Sequence, residues 1–129
     1  MPFTRIALPE HRLAQWQPVI SHVLQRALES TFAVPAGDCF QFFDGYKEGR
    51  RVFDAHYLCS AERPRSADFV FFHLTGGKPR SVKQKQTFYR TLTNDLQAEL
   101  KIHPSDVMIV LSSTQLEDWS FSGGEMTHF

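Results

Sequence analysis

The chain has 129 residues and a mass of 14.9 kDa, and its 14 basic and 14 acidic side chains leave no formal net charge. This length predicts a single domain, residues 1–129, with a substantial hydrophobic core. The charge balance argues against a nucleic-acid-binding surface, and no apolar run is long enough to cross a membrane. No apolar stretch suitable for a secretory signal follows the N-terminus, so we expect a cytoplasmic protein.

The first predicted elements are a strand and a long helix. Phe3–Leu8 alternates between two faces, which is typical of a strand. Pro9 and Glu10 then begin a helix, because proline fits a first turn and an acid suits its positive end. Pro18 lies inside the apolar stripe of this helix. We therefore expect the helix either to kink at Pro18 or to begin again near Gln17.

A turn over Phe32–Asp38, broken by proline and glycine, separates this helix from the next strand. Cys39–Tyr46 predicts a second strand. The polar segment 47–64 that follows is ambiguous, and within it Arg51–Leu58 is a candidate hairpin arm.

The second half of the chain repeats the pattern. Phe69–Leu74 predicts a buried strand, and Ser81 is a suitable N-cap for the next helix. That helix carries its apolar stripe on Phe88, Leu92, Leu96 and Leu100. A turn over Ile102–Asp106 leads to a fourth strand, Val107–Leu111.

The two halves are an internal repeat of a β-α-β unit. Val34–Asp38 and Ile102–Asp106 precede the second strand of each half, and their prolines, Pro35 and Pro104, lie 69 positions apart. Parallel strands joined by a right-handed crossover place both helices on one face of the sheet. The other face then requires a cover, and in so short a chain we expect a second subunit to supply it.

The 12 phenylalanines include two adjacent pairs, Phe42-Phe43 and Phe71-Phe72. Adjacent residues on a strand point to opposite faces. These pairs fit a sheet covered on both sides, and they fit an aromatic-rich monomer core equally well.

Most candidate sites have an ordinary structural explanation. Cys39 and Cys59 form no CxxC pair and are expected to be buried thiols. Gly76-Gly77-Lys78 lacks the earlier glycine of a phosphate loop, which favours a strand-ending turn. The six histidines show no metal-binding spacing, so no metal site is predicted; they are His11, His22, His56, His73, His103 and His128.

Two features suggest a catalytic or ligand-binding role. Pro2 follows Met1, and removal of Met1 would leave a free secondary amine that can act as a base, an acid or a nucleophile near neutral pH. The cationic turn Lys78-Pro79-Arg80 follows a buried strand, and the ends of parallel strands are where such sheets gather ligand sites.

The chain resembles the tautomerase superfamily, and within it the malonate semialdehyde decarboxylase-like proteins. The matching residues span nearly the whole chain: Pro2, Phe32–Asp38, Pro79–Ser81, Gln84-Lys85, Phe88-Tyr89, Pro104–Val107 and Asp118–Phe121. The resemblance implies an α+β fold, a two-layer sandwich of two β-α-β repeats with a mixed four-stranded sheet and two helices on one face. It also implies a homotrimer.

The resemblance further implies a role for each matching residue. Pro2 would give or take a proton, and Asp38 would orient Pro2 or activate a water. Lys78 and Arg80 stand where two arginines flank a proline, and they would bind the substrate carboxylate. The remaining pair, Trp119 and Phe121, would line an apolar pocket wall.

The function expected from this resemblance is that of a cofactor-free enzyme acting on a small oxo acid or enol. Tautomerisation, decarboxylation and hydration all remain open, since one amine and one cation serve each of them. Lys78 cannot make the planar fork, the two coplanar N–H hydrogen bonds that an arginine guanidinium makes to a carboxylate, so a lysine at this position orients the substrate carboxylate less firmly. Cys39 and Phe40 also replace more polar or hydroxyl-bearing neighbours. The alternatives are a member that binds a small anion without turnover and a cytokine-like interaction protein.

Overall fold

The structure, a computed structural model, describes residues 2–59 and 63–127. The predictions for Met1 and His128 lie outside these residues. The main elements, in chain order, are strand β1 (Pro2–Pro9), helix α1 (Glu10–Phe32), strand β2 (Gln41–Tyr46), strand β3 (Val70–Gly76), helix α2 (Val82–Leu100) and strand β4 (Val107–Ser113). A short 3-10 helix, Pro104–Asp106, precedes β4 and a second, Leu116–Asp118, follows it.

The four strands form one mixed sheet in the order β2-β1-β3-β4. The outer pairs, β1 with β2 and β3 with β4, are parallel, and the central pair of β1 and β3 is antiparallel. Thr4 lies beside Gln41 and Val70 lies beside Val107, so both parallel pairs join residues 37 positions apart. This equal register confirms the predicted repeat of two β-α-β units.

Both helices pack on the same face of the sheet and enclose the core. β1 contributes Thr4, Ile6 and Leu8 to that face, as its alternation predicts. The largest core side chains are fully buried; they include Ile6, Leu8, Ile20, Leu24, Phe72, Phe88, Leu92 and Leu96. Burial of this apolar surface is the main force that holds the helices on the sheet.

The opposite face of the sheet is rich in apolar side chains that neither α1 nor α2 covers. Each phenylalanine pair divides between the faces, with Phe43 and Phe72 directed to the helices and Phe42 and Phe71 to the open face. Phe42 is 57% exposed, and Met108 on β4 is 44% exposed.

Helix α1 runs without interruption through Pro18, so the predicted second start near Gln17 is wrong. Proline lacks the N–H that would bond to the preceding turn. Pro18 is exposed, whereas Trp16 and Ile20 on either side of it are buried. Core packing before and after the proline therefore maintains one continuous helix.

The segment Arg51–Leu58 forms no strand, and the predicted hairpin arm is wrong. Its backbone is instead organised by local contacts. The Asp54 carboxylate accepts hydrogen bonds from the backbone N–H groups of His56 and Tyr57, at 2.7 and 2.8 Å. These bonds lower the pKa of Asp54. Leu58 has a φ of 47°, a left-handed conformation incompatible with an extended strand.

The cysteines differ from their prediction as well. Cys39 is exposed, because β2 begins only at Gln41 and the preceding residues belong to a surface loop. Cys59 is half-buried, with its thiol 3.3 Å from the carbonyl oxygen of Arg63. No helix in the described part of the chain is both long and apolar enough to cross a membrane.

Candidate functional site

A small cavity lies at the sheet edge where β1 begins and β3 and β4 end. Its lining includes Pro2 from β1, Gly76 at the end of β3 with Gly77 directly after it, and Ser112 and Ser113 from the end of β4. The antiparallel centre of the sheet explains this meeting, because Pro2 pairs directly with Gly76. The cavity volume is about 40 Å³.

The two cations of the predicted turn line the same cavity. β3 ends at Gly76, and the chain then carries Lys78 and Arg80 around Pro79 to the start of α2. Ser81 holds this turn in place by capping α2, with its hydroxyl accepting from the backbone N–H of Gln84 at 3.1 Å. The structure therefore places Pro2, Lys78 and Arg80 around one cavity.

Arg80 is held by packing rather than by a carboxylate. Its guanidinium lies 5.0 Å from the centre of the Phe32 ring and donates to the backbone carbonyl oxygen of Lys78 at 3.2 Å. The Nε atom is buried and has no hydrogen-bond partner among the described residues. Burial lowers the pKa of Arg80 below its ordinary value. An arginine desolvated in this way, with an unused donor, is suited to bind an anion.

Sequence reasoning missed one cationic residue of the cavity. Lys85, in the first turns of α2, lines it together with Lys78 and Arg80. Among the described lining residues no side chain is acidic. The signal was present in the sequence, since Lys85 lies four positions after the N-cap Ser81, where a helical side chain returns to the same face. The cavity therefore concentrates positive charge.

Asp38 lies in the loop between α1 and β2, at the same sheet edge as Pro2. The backbone N–H of Thr4 donates to the carbonyl oxygen of Phe40 at 2.9 Å, which ties the end of this loop to β1. Gln25 on α1 donates to the carbonyl oxygen of Asp38 at 3.1 Å. Asp38 is not among the residues that line the cavity around Pro2.

The aromatic pair lines a different cavity, of about 460 Å³, on the open face of the sheet. The Trp119 and Phe121 rings stack with centres 5.3 Å apart, and Trp119 also meets Phe3 edge-on at 5.9 Å. The indole N–H of Trp119 donates to the Thr114 hydroxyl at 2.6 Å. Pro2 lines the first cavity and Phe3 lines the second. Because adjacent residues of a strand face opposite sides of the sheet, the two cavities lie on opposite sides of the same strand ends.

Among residues 2–59 and 63–127, no group of three or more histidine, cysteine or acidic side chains is arranged to hold a metal ion. The lining of the Pro2 cavity offers cations, hydroxyls and apolar side chains.

Comparison with known families agrees with this arrangement. The family described as "Tautomerase enzyme" matches residues 38–122. The chain is 31% identical over 124 residues to the probable tautomerase YusQ of Bacillus subtilis (strain 168), covering 96% of this chain and 95% of that protein. It is 28% identical to the probable tautomerase YrdN of the same organism, covering 97% and 94% of the two chains.

Solved structures give the same result. A crystal structure of malonate semialdehyde decarboxylase, described as having decarboxylase and hydratase activities, superposes with a TM-score of 0.85. The two chains are 28% identical, and the match covers 96% of this chain and 93% of that one. The FG41 malonate semialdehyde decarboxylase inhibited by 3-bromopropiolate gives a TM-score of 0.86 at 27% identity, with 96% and 92% covered.

Proposed function

Because this chain belongs to the tautomerase family, we propose that it is a cofactor-free enzyme that uses the amine of Pro2 on a small oxo acid or enol. The observation that carries the proposal is the common cavity of Pro2 and Arg80. A proposed proton-transferring group and a proposed carboxylate-binding group line the same cavity at the strand ends. Similarity to malonate semialdehyde decarboxylase supports an oxo acid as the substrate class.

The proposed catalytic group is the secondary amine of Pro2, which exists only after Met1 is removed. A free α-amine titrates near ~7.7–8.0, so its protonated and neutral forms coexist at neutral pH. The neutral amine would take a proton from a carbon next to a carbonyl. The protonated amine would donate one to the substrate. Pro2 lines the same cavity as Arg80, which would place the amine close to a carboxylate bound there.

Arg80 and Lys78 are proposed to bind the substrate carboxylate. The buried, unpartnered Nε of Arg80 supports Arg80 as the main anchor. Lys78 adds a second positive charge but no planar fork. Asp38 is proposed to orient the amine or activate a water from its loop at the same edge.

Trp119 and Phe121 are proposed to supply an apolar wall. Their cavity opens on the other side of the strand ends from Pro2, so only a substrate that extends around Phe3 would contact both Pro2 and this wall. An apolar surface beside a carboxylate favours its loss as neutral carbon dioxide.

Three reactions follow from one arrangement. In tautomerisation, the amine removes a proton from carbon and returns it to a different atom of the same molecule. In decarboxylation of a 3-oxo acid, the bond to the carboxyl carbon breaks, carbon dioxide leaves, and the enolate is stabilised by the protonated amine and takes up a proton. In hydration, a water activated by Asp38 adds across the substrate.

We also propose that the chain assembles as a homotrimer through the open face of the sheet. The exposed apolar side chains of that face, Phe42 and Met108 among them, favour a covering surface. A fused 4-OT protein of the same fold, 14% identical to this chain, is described as a symmetric trimer.

The experiment that tests the function begins with the intact mass of untagged protein. The mass is expected to show loss of Met1. A panel of 2-oxo acids, 3-oxo acids and enols is then assayed with the native enzyme and with Pro2→Ala. Alanine keeps an amine but changes its basicity and geometry, so turnover is expected to fall while the fold is retained. Pro18→Ala, at an exposed proline of α1, is the matched control and should keep full activity.

Two results would contradict the proposal. Retention of Met1 in most molecules leaves Pro2 acylated and excludes it as the catalytic amine. Equal turnover by Pro2→Ala and the native protein assigns the proton transfer to another group. Tight anion binding with no turnover on the whole panel would favour the alternative function, a binding protein of the same fold, for which the cationic lining of the cavity is the supporting observation.

A further inference from the structure

The first β-α-β repeat has a cavity of its own at the opposite edge of the sheet, about 350 Å³ in volume. It lies where the parallel strands β1 and β2 end, beside Pro9 and Tyr46. Its lining also includes His11 at the start of α1, Lys47 and Arg51 after β2, and Ala67 before β3.

This cavity is the counterpart of the Pro2 cavity under the internal repeat. Both repeats have the same strand register of 37 positions. Both helices end on a left-handed residue, Ala33 for α1 and Lys101 for α2. A half-turn that exchanges the repeats therefore carries the carboxyl ends of β3 and β4 onto those of β1 and β2. Such strand ends are where sheets of this kind bind ligands.

Each cavity contains an arginine that is packed against aromatic rings and partly desolvated; Asp106 and Asp68 act on Arg51 from a distance, whereas no such acid among the described residues acts on Arg80. Arg80 lies 5.0 Å from the Phe32 ring, and Arg51 lies 5.8 Å from the Phe53 ring and 5.9 Å from the Phe69 ring. Neither guanidinium has a carboxylate within 4.0 Å among the described residues. Burial lowers the pKa of both arginines. The carboxylates that act on Arg51, Asp106 and Asp68, are in contact with Arg63 and Arg12 instead. A desolvated cation with no carboxylate in contact attracts an anion more strongly than one in water.

The other polar side chains of the lining suit an anion as well. Lys47 adds to the positive charge of Arg51, the His11 ring offers a hydrogen-bond donor, and Glu48 is the one acidic side chain among the described lining residues. Asp68 lies 3.8 Å from the His11 ring, but its carboxylate is already held by Arg12 at 3.1 and 3.3 Å.

The two cavities differ at the position of the amine. In the second cavity the chain continues through Ala67 into β3, so an amide stands where the first cavity has the N-terminal residue of β1. Arg51 donates to the carbonyl oxygens of Phe69 and Ala67, which fixes this segment across the cavity. An amide nitrogen is not basic and transfers no proton near neutral pH.

We propose that this second cavity binds a small carboxylate without turning it over. Lys47 and His11 would contact the carboxylate directly, and Arg51, engaged with backbone carbonyls, would supply positive charge beneath it. The site is separate from the proposed catalytic edge and does not depend on the chemistry of Pro2.

The test is a TROSY titration of the isotope-labelled native protein with malonate as the probe. The Gly49 amide reports on the second cavity and the Gly77 amide on the first, since each glycine lines one of them. We expect Gly49 to shift saturably. The double variant His11→Gln with Lys47→Gln leaves Arg51 and its backbone contacts in place. It should weaken binding at Gly49 by about tenfold or more, because the lysine charge and two hydrogen-bond donors to the anion are changed, and should leave Gly77 unchanged.

Arg90→Gln, which removes one exposed positive charge on α2, is the control and should leave both curves unchanged. A Gly49 resonance that does not move with malonate overturns the inference, whatever happens at Gly77. An unaltered affinity at Gly49 in the double variant overturns it too, since the anion is then held elsewhere. A loss confined to Gly77 in Arg80→Ala would concern only the proposed function, so the two proposals fail separately.

Discussion

Removal of the Arg80 guanidinium is the sharpest perturbation of the proposed carboxylate site. Arg80→Ala deletes the buried Nε donor and the charge stacked on Phe32. A hydrogen bond to a charged group contributes ~1.5–3 kcal/mol, so kcat/KM is expected to fall about 10- to 150-fold. Lys78→Ala should cost less, because Lys78 is exposed and lacks the planar fork.

The assay is steady-state kinetics at low concentrations of whichever oxo acid the panel identifies. Arg80→Lys keeps the charge but removes the fork, so it should recover only part of the loss. Lys78→Arg should raise activity if the substrate is a 3-oxo acid held by two forks. Lys83→Ala, an exposed lysine in the first turn of α2, is the control for charge. Native rates for a folded Arg80→Ala protein would refute the reasoning, because the carboxylate would then bind elsewhere.

Three further predictions concern stability and assembly. Pro18→Ala should raise the free energy of unfolding, measured with urea, by about 1–3 kcal/mol because α1 regains a backbone hydrogen bond; a decrease would contradict the account of that helix. Asp106→Ala should lower the free energy of unfolding by about 1–3 kcal/mol, since its buried carboxylate accepts hydrogen bonds from the Ser66 N–H and hydroxyl at 2.6 and 2.7 Å. Asp95→Ala, which removes a half-exposed ion pair, should lower it by less than ~1 kcal/mol. Light scattering at micromolar concentration should give a trimer that Phe42→Lys dissociates, and a native monomer of 14.9 kDa would argue against the open face as an interface.

The secondary structure was predictable where side-chain periodicity and turn chemistry agree. The alternation in Phe3–Leu8 and the capping residue Ser81 each specify an element by local physics, and the structure has both. The hairpin arm proposed for Arg51–Leu58 failed because its apolar residues are not packed in a sheet: Val52 and Leu58 are 98% and 81% exposed. Local pattern cannot distinguish a strand from a loop whose shape is set by side-chain hydrogen bonds.

The candidate site was predictable in part, because the repeat determines which strand ends meet. Pro2 and Arg80 are 78 positions apart in sequence, yet they share a cavity through the antiparallel pairing of β1 with β3. Trp119 and Phe121 line a cavity on the other side of the strand ends. Their position there depends on how the residues after β4 fold over the open face. This placement rests on aromatic contacts between distant segments, which no short motif encodes.

The antiparallel seam between β1 and β3 also has a consequence for the order of folding. Ile6 pairs with Phe43 across 37 positions but with Phe72 across 66 positions. Once each β-α-β half has formed, the pairing of β1 with β3 closes only the loop that connects Tyr46 to Val70. The entropy cost of closing a loop grows with the logarithm of its length. Prior folding of the halves therefore lowers the free-energy cost of pairing β1 with β3 by about 0.9 kcal/mol. Conservative substitutions in the seam are therefore expected to speed unfolding more than they slow folding, which a chevron plot measures directly.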